Sequence, residues 1–329
     1  MACATWAPVP RPARVMVISN EVPMILLCLA GEQPIPNLLP ARYHNPAQTF
    51  IAHTSLEASK KSARRLAGLM GNTRLFSVGD GYHISRILEA LYREMGEPED
   101  EVVVNVTGGT KPMMLAAFEL ARQRRYPVVY YQTEGPRGRD QKSTLYRYRF
   151  DEQRELHLEE GYPRELPALI TLDDYLKAHL DGYHYNTKET DGKPLEDAVA
   201  KALKPHVDEI KQSVVPDGVK DQVEIDLLVR CGNHVGVFEI KTGGTGSDKH
   251  AIDQLTTMAA REYLGTYAAR FMVTQASMEE RYKALATALR VRVIELKEYY
   301  PGKPLSQKDQ NRLFQTVSEI LPTHQEPKR

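Results

Sequence analysis

From Met24 onward, short apolar runs alternate with longer stretches whose apolar positions recur every three or four residues. The runs are MILLCLA (24–30), TFIAHT (49–54), TRLFSV (73–78), EVVVNV (101–106) and PVVYYQ (127–132). Between them lie segments such as LEASKKSARRLAGLM (56–70) and ISRILEALYREM (84–95). Strands alternating with helices of this length predict βαβ units and a parallel sheet. In such sheets ligands sit beyond the carboxyl ends of the strands, so the loops after the strands are the places to look.

After about residue 143 the alternation stops. STLYRYRF and RELHLEE read as a hairpin that closes the first unit. A bridge follows over 162–190, with a short helix at LDDYLKAHL opened by a capping box of Thr171 and Asp174. A second compact pattern runs from about Gly192 to Glu298, and residues 300–329 read as a polar helix with a frayed tail. The expected organisation is an extension over 1–23, an α/β domain over 24–160, a connecting segment over 161–190 and a second α/β domain over 191–329.

Composition narrows this only a little. A chain of 329 residues, 42% hydrophobic and 26% charged, is long enough for two ordinary domains. No apolar run reaches the roughly 18 residues of a membrane span. Cys3, Cys28 and Cys231 are too scattered for a disulfide framework or a zinc knuckle, so the chain reads as cytoplasmic. Residues 1–150 carry 19 Lys+Arg against 13 Asp+Glu, and the rest 24 against 30, a basic half followed by an acidic one. MILLCLA, with Arg11 and Arg14 upstream, imitates a signal peptide. A strand is preferred, because cleavage near Ala30 would remove the first strand of the sheet.

Local chemistry is sharpest in VEIDLLVRCGNHVGVFEIK (223–241). Two apolar strands flank Gly232-Asn233, a two-residue hairpin signal. If that pair turns the chain, Cys231 faces His234, Asp226 faces Glu239 and Glu224 faces Lys241. Residues two apart share a face, so Asp226, Glu239 and Lys241 project together. Opposed carboxylates weaken a sheet unless a cation lies between them, and Mg²⁺ or Mn²⁺ prefers such oxygen ligands. A solvent-facing hairpin with alternating polar residues is the plainer alternative. Glu196, near the start of the amphipathic helix GKPLEDAVAKAL, offers a third carboxylate, and Gln254 follows the Gly-rich TGGTGS loop.

The order helix Glu196, strand Asp226, strand Glu239-Ile240-Lys241 and helix Gln254 resembles the PD-(D/E)XK nuclease superfamily. That resemblance implies a restriction-endonuclease-like fold in which Asp226 and Glu239 bind metal, Glu196 assists and Lys241 is catalytic, with Gln254 completing the set. Ile225 stands where the superfamily often has proline.

In the first unit, Thr107-Gly108-Gly109-Thr110-Lys111 leaves a strand and enters a helix at Pro112. Helix-terminal N–H groups, two glycines, hydroxyls and a cation make this an anion or nucleotide site in physical terms. It lacks the GxxxxGK[ST] spacing of an ATPase loop. A plain strand–helix turn is the alternative. Gly31 through Asn37, including Gln33 and Pro34, reads as a polar, Pro-stiffened loop at the same sheet edge, where His53, Thr54 and Ser55 also end a strand.

These segments resemble the CARF domain, the sensor of ancillary proteins in type III CRISPR immunity, in the form fused to PD-(D/E)XK nucleases. The resemblance spans about residues 24–298. It implies a Rossmann-like sensor, activation by a cyclic oligoadenylate such as cyclic tetra-adenylate, a homodimer gripping the ring, and cleavage of DNA or RNA. Two rival readings remain: a ligand-responsive nucleic-acid-binding regulator without cleavage, and an unregulated repair or restriction nuclease.

Overall fold

The computed structural model describes residues 23–138, 140–188, 191–218, 224–242, 264, 265 and 267–324. The proposed extension up to residue 22, the Gly-rich loop from residue 243, Gln254 and the tail from residue 325 lie outside the described residues.

The five apolar runs form β1 (Met24–Ala30), β2 (Gln48–His53), β3 (Thr73–Ser77), β4 (Glu101–Asn105) and β5 (Val128–Glu134). They pair in parallel in the order β3-β2-β1-β4-β5. β1 is buried at every position because it lies mid-sheet with both faces covered, which explains an unbroken apolar run where alternation would mark a half-exposed strand. Ile25, Leu27 and Leu29 pack with α3 (Ile84–Met95) and α4 (Lys111–Arg124). Leu26, Cys28 and Ala30 pack on the opposite side with α1 (Ile35–His44) and α2 (Glu57–Leu69). The expected hairpin is present as β6 (Lys142–Phe150) and β7 (Leu156–Leu158), antiparallel beyond β5, with the short β8 (Arg164–Glu165) also on β6.

One expectation is corrected at α1. Gly31 through Asn37 is not a loop throughout, because a helix begins at Ile35 and carries Pro40 inside it. Pro40 has no N–H to give to the carbonyl of Pro36 four residues earlier. The Asn105 side-chain amide, 3.0 Å away, donates to that carbonyl instead. A residue on the neighbouring strand therefore completes a helix that its own sequence argues against.

The bridge holds α5 (Leu172–His179), opened by the expected Thr171–Asp174 capping box. It also holds β9 (Tyr183–Tyr185), which joins the second sheet. That sheet continues with β10 (Glu209–Pro216), β11 (Ile225–Cys231), β12 (His234–Lys241), β13 (Ala269–Thr274) and β14 (Val291–Glu295), ordered β14-β13-β12-β11-β10-β9. One face packs on α6 (Lys193–Leu203) and α8 (Gln307–Ser318). α7 (Glu280–Ala288) precedes β14. The expected polar helix is thus α8, amphipathic, with Leu313 and Val317 buried.

The two sheets are not independent bodies on a string. Val214, Leu228, Val237 and Met272 of the second share one apolar cluster with Leu26 and Tyr131 of the first and Tyr175 of the bridge. Arg42–Asp174 and Arg65–Asp181 ion pairs tie α5 to the first domain's helices. The Tyr175 hydroxyl donates to the carbonyl of Leu264 at 2.6 Å.

Candidate functional site

The β11–β12 hairpin has the register read from its turn, Cys231 against His234 through to Leu227 against Phe238. One step further sets Asp226 beside Glu239, and there the ladder changes character. The Asp226 carboxylate accepts the Ile240 N–H at 2.6 Å, while on its other edge β12 stays paired in parallel with β13 from Gly236 to Lys241. Leu228 and Val237 carry the buried face up to this point, and Asp226 and Glu239 extend that row with carboxylates.

Glu239 is fully buried, and its Oε2 has no hydrogen-bond partner. The Lys241 ammonium stands 2.5 Å from Glu239 Oε1 as a close, charge-assisted pair. Burial pushes the Glu239 carboxyl up to about 7 against the pull of Lys241. Burial and the neighbouring Glu239 hold Asp226 well above the usual carboxylate range. Burial opposes the charge of Lys241, but Glu239 and Asp226 outweigh it and hold the ammonium above its ordinary value. Two buried carboxylates and one cation leave negative charge uncompensated in a low-dielectric place.

Glu196, on α6, is also buried and raised by burial, with Lys193 opposing at 3.4 Å. Lys193 is anchored by the Ser213 hydroxyl at 2.8 Å. Ser213 lies on β10 opposite Asp226, where regular pairing is skipped and its φ is +54°. The register is the same on both sides, Gln212 against Leu227 and Val214 against Ile225, so the left-handed residue is a local distortion without an inserted residue, which sequence patterning does not reveal. Glu224 departs from its expected place opposite Lys241. It lies before β11 begins, and the Asn186 amide donates to it at 2.6 Å. Its charge still raises both Glu196 and Glu239. Lys193, Ser213 and Glu224 therefore adjoin the candidate cluster, and the motif alone did not single out the first two.

The donor set suits a hard divalent cation, which prefers carboxylate oxygens and would relieve the charge on Asp226 and Glu239. Glu196 stands a step back. Among the described residues, the group of three ligating side chains with all atoms within 4.8 Å of one another is Asp151, Glu155 and His157. That group is exposed and explained locally, since Asp151 accepts the Glu155 N–H and bonds the His157 ring, both at 2.8 Å.

At the first sheet, the loops after β1, β2, β3 and β4 interlock. Gly108 lies where an added Cβ would fall 2.3 Å from the Leu29 carbonyl oxygen and 2.6 Å from the Asn37 amide nitrogen, and Gly109 has φ +74°. Asn37 is fully buried and donates to Leu29 at 2.8 Å. The Thr107 hydroxyl donates to Asn105 at 2.7 Å and accepts the Tyr131 N–H at 2.8 Å. Thr54 is buried, and its N–H donates to Ser59 at 3.0 Å. Pro34 is buried as well, Gln33 packs toward Gly265, and His53 bonds the Thr54 carbonyl. These residues build the cradle. Gly31, Ser55, Gly108, Gly109, Thr110 and Lys111 are partly or fully exposed around it. Thr110 caps α4 and donates to the Gly81 carbonyl at 2.8 Å, drawing in the loop after β3. That loop carries exposed Tyr82 and leads to exposed Ile84 at the start of α3, and a polar stretch with two glycines reads in sequence as an ordinary turn.

Residues 25–160 match the family model of the Card1 CARF domain. No curated protein matches the chain. Solved structures do, across both sheets. Can2 from Sulfobacillus thermosulfidooxidans, in complex with cyclic tetra-adenylate, superposes with TM-score 0.66 at 14% identity, covering 89% of this chain and 99% of its own. Protein VC1899 from Vibrio cholerae gives 0.68 at 14% identity, covering 90% and 99%. A type III CRISPR defence DNA nuclease activated by cyclic oligoadenylate gives 0.57 at 16% identity, covering 94% of this chain but 54% of that longer one. Among the described residues no helix is long and apolar enough to cross a membrane. The region from residue 25 to residue 160 is therefore a CARF domain of the Card1 type, joined to a second α/β domain in the two-sheet arrangement of Can2.

Proposed function

We propose that this protein is a cytoplasmic endonuclease of type III CRISPR defence, dependent on Mg²⁺ or Mn²⁺ and switched on by a cyclic oligoadenylate, with cyclic tetra-adenylate the favoured ring. The observation that carries the nuclease half is Glu239, fully buried with Oε2 lacking a hydrogen-bond partner, beside Asp226 and in ion-pair contact with Lys241 through Oε1. A folded protein keeps such a charge concentration only where something compensates it. The sensor half is supported by the CARF match and by the interlocked loops at the β1/β4 switch point.

In this reading Asp226 and Glu239 hold the cation and Glu196 faces it from α6. When bound, the cation neutralises charge on a phosphodiester and acidifies a water. Lys241 stabilises charge gathering on the scissile phosphate and orients the attacking water. Lys193 keeps Glu196 in place through Ser213. Gln254 is assigned to the substrate side on the motif alone. In the sensor, Gly31, Ser55 and Gly108 to Lys111 face the ring, framed by Gln33, Pro34, Asn37, His53, Thr54 and Thr107, and a second copy completes a homodimer around it. The ring acts by binding the cleaving arrangement more tightly than the resting one, and a full reversal of populations requires roughly 5.5 kcal/mol of difference.

The test is cleavage of labelled single-stranded RNA, single-stranded DNA and supercoiled plasmid with Mn²⁺ or Mg²⁺, with and without cyclic tetra-adenylate. Ring-dependent cutting that Glu239→Gln abolishes is expected. Cutting unaffected by any ring size points to an unregulated nuclease. Absence of cutting under every condition overturns the nuclease reading in favour of a ligand-responsive binder.

A further inference from the structure

The last turn of α5 sits between the sensor loops and the chain that enters β13. Gly265 is buried with φ +73°, and an added Cβ there would fall 2.5 Å from Gln33 Oε1 and 2.8 Å from His179 Nε2. Three segments therefore close on one glycine: the loop after β1, the end of α5 and the stretch before β13. One residue earlier, the Leu264 carbonyl accepts the Tyr175 hydroxyl at 2.6 Å. His179 is buried, and its imidazole lies against the Tyr175 ring with centroids 4.4 Å apart. Its Nδ1 faces the Tyr175 carbonyl at 2.8 Å, an oxygen that can only accept. Burial pulls the imidazole down to about 4, so at neutral pH it is uncharged with the proton on Nδ1. Nε2 is then a buried acceptor without a donor, which disfavours the arrangement that contains it.

This joint reaches the sensor loops twice. Gln33 belongs to the loop after β1, and α2 supplies the second link. Ser59 of α2 donates its hydroxyl to the Ala30 carbonyl at 2.8 Å and accepts the Thr54 N–H at 3.0 Å, fixing the helix to the ends of β1 and β2. Further along α2, Arg65 donates to the His179 carbonyl and pairs with Asp181 at 2.8 Å. On the other side, β13 begins four residues after Gly265 and sets Met272 beside Glu239 and Thr274 beside Lys241. We propose that Tyr175 and His179, closed on Leu264 and Gly265, form the joint that transmits occupancy of the sensor loops to β13 and the carboxylate cluster. This deepens the reading above and rests on its sensing half. A cyclic ligand that orders the loop after β1 moves Gln33 and α2 against Gly265, which has no side chain to absorb the shift, while Tyr175 holds Leu264. Tyr175, His179 and Gly265 touch neither ligand nor substrate in this scheme and are positioning residues. Contiguity alone does not demonstrate coupling, so the test reads coupling itself.

The experiment compares the full unsubstituted chain with Tyr175→Phe, which keeps the aromatic packing, and Gly265→Ala, which sets a Cβ against Gln33 and His179. Cyclic tetra-adenylate is the probe. Its affinity is read by calorimetry, its effect on β13 by hydrogen exchange in EDTA, and its effect on catalysis by stimulation of cutting with Mn²⁺. In the unsubstituted chain the ligand is expected to change exchange across β13. Both variants should bind it at least as tightly, because it no longer has to shift the second domain. Both should lose the β13 response, and stimulation of cutting should fall about tenfold or more. If Gly265→Ala fails to fold, Tyr175→Phe decides alone. A full β13 response in either folded variant overturns the proposal, as does a response lost only in proportion to weakened ligand binding. Binding to the unsubstituted chain with no change at β13 overturns it too. Absence of ligand binding removes the sensing reading and this proposal together. Binding with a β13 response but no cutting removes the nuclease reading alone, and the exchange comparison still decides this one.

Discussion

Substituting Glu239 by Gln should stabilise the metal-free protein at neutral and alkaline pH. In the folded chain this carboxyl is pushed up to about 7 from its ordinary 4.5, chiefly by burial. Between those values the folded state holds a proton that the unfolded state has released, so stability falls as pH rises from 4.5 through 7. The stabilising protonated form is fully present below the unfolded value and lost above the folded one. A shift of this size corresponds to about 3 kcal/mol, and because Glu239 is fully buried no discount for solvent applies. Asp226 titrates with it, so the figure belongs to the pair. Gln mimics the protonated carboxyl and escapes the penalty. Thermal unfolding in EDTA at pH 8 should show the second domain of Glu239→Gln melting on the order of 5 °C above the unsubstituted chain, with the gap closing by about pH 4.5. Adding Mn²⁺ should reverse the order, since only the carboxylate pair gains from the cation. A variant equal to or less stable than the unsubstituted chain at pH 8 in EDTA would refute the reasoning. So would an identical response to Mn²⁺.

Lys241→Ala should lower cleavage by about 100-fold or more while leaving the Mn²⁺-induced rise in melting temperature in place, as measured by single-turnover cutting and thermal shift. Lys111→Ala should abolish activation by the cyclic ring but not the metal response, and normal activation would remove that loop from the sensor. Asn105→Ala strips partners from the Pro36 carbonyl, the Asn37 side chain and the Thr107 hydroxyl, and should cost about 2–3 kcal/mol by chemical denaturation. Gly108→Ala forces a Cβ against Leu29 and should cost about 1–3 kcal/mol in the same assay.

The elements themselves were legible along the chain. β1 follows from an unbroken apolar run, α3 from a period of 3.6, and the α5 capping box and the β11–β12 register from signals a few residues long. Those are local properties, decided within one turn or one strand pair. Asp226, Glu239 and Lys241 were readable for the same reason: a two-residue turn fixes which residues of the two strands stand together. What the chain could not disclose depends on partners distant in sequence. Pro40 argues against a helix until Asn105, on another strand, satisfies the carbonyl it leaves behind. Thr107 and Asn37 look like ligand donors until neighbouring backbone claims their side chains. Glu224 leaves the hairpin ladder for Asn186, and Ser213 takes a left-handed backbone beside Asp226, because strands from three segments meet there. Periodicity decides which way a side chain faces, but only packing decides what it meets there.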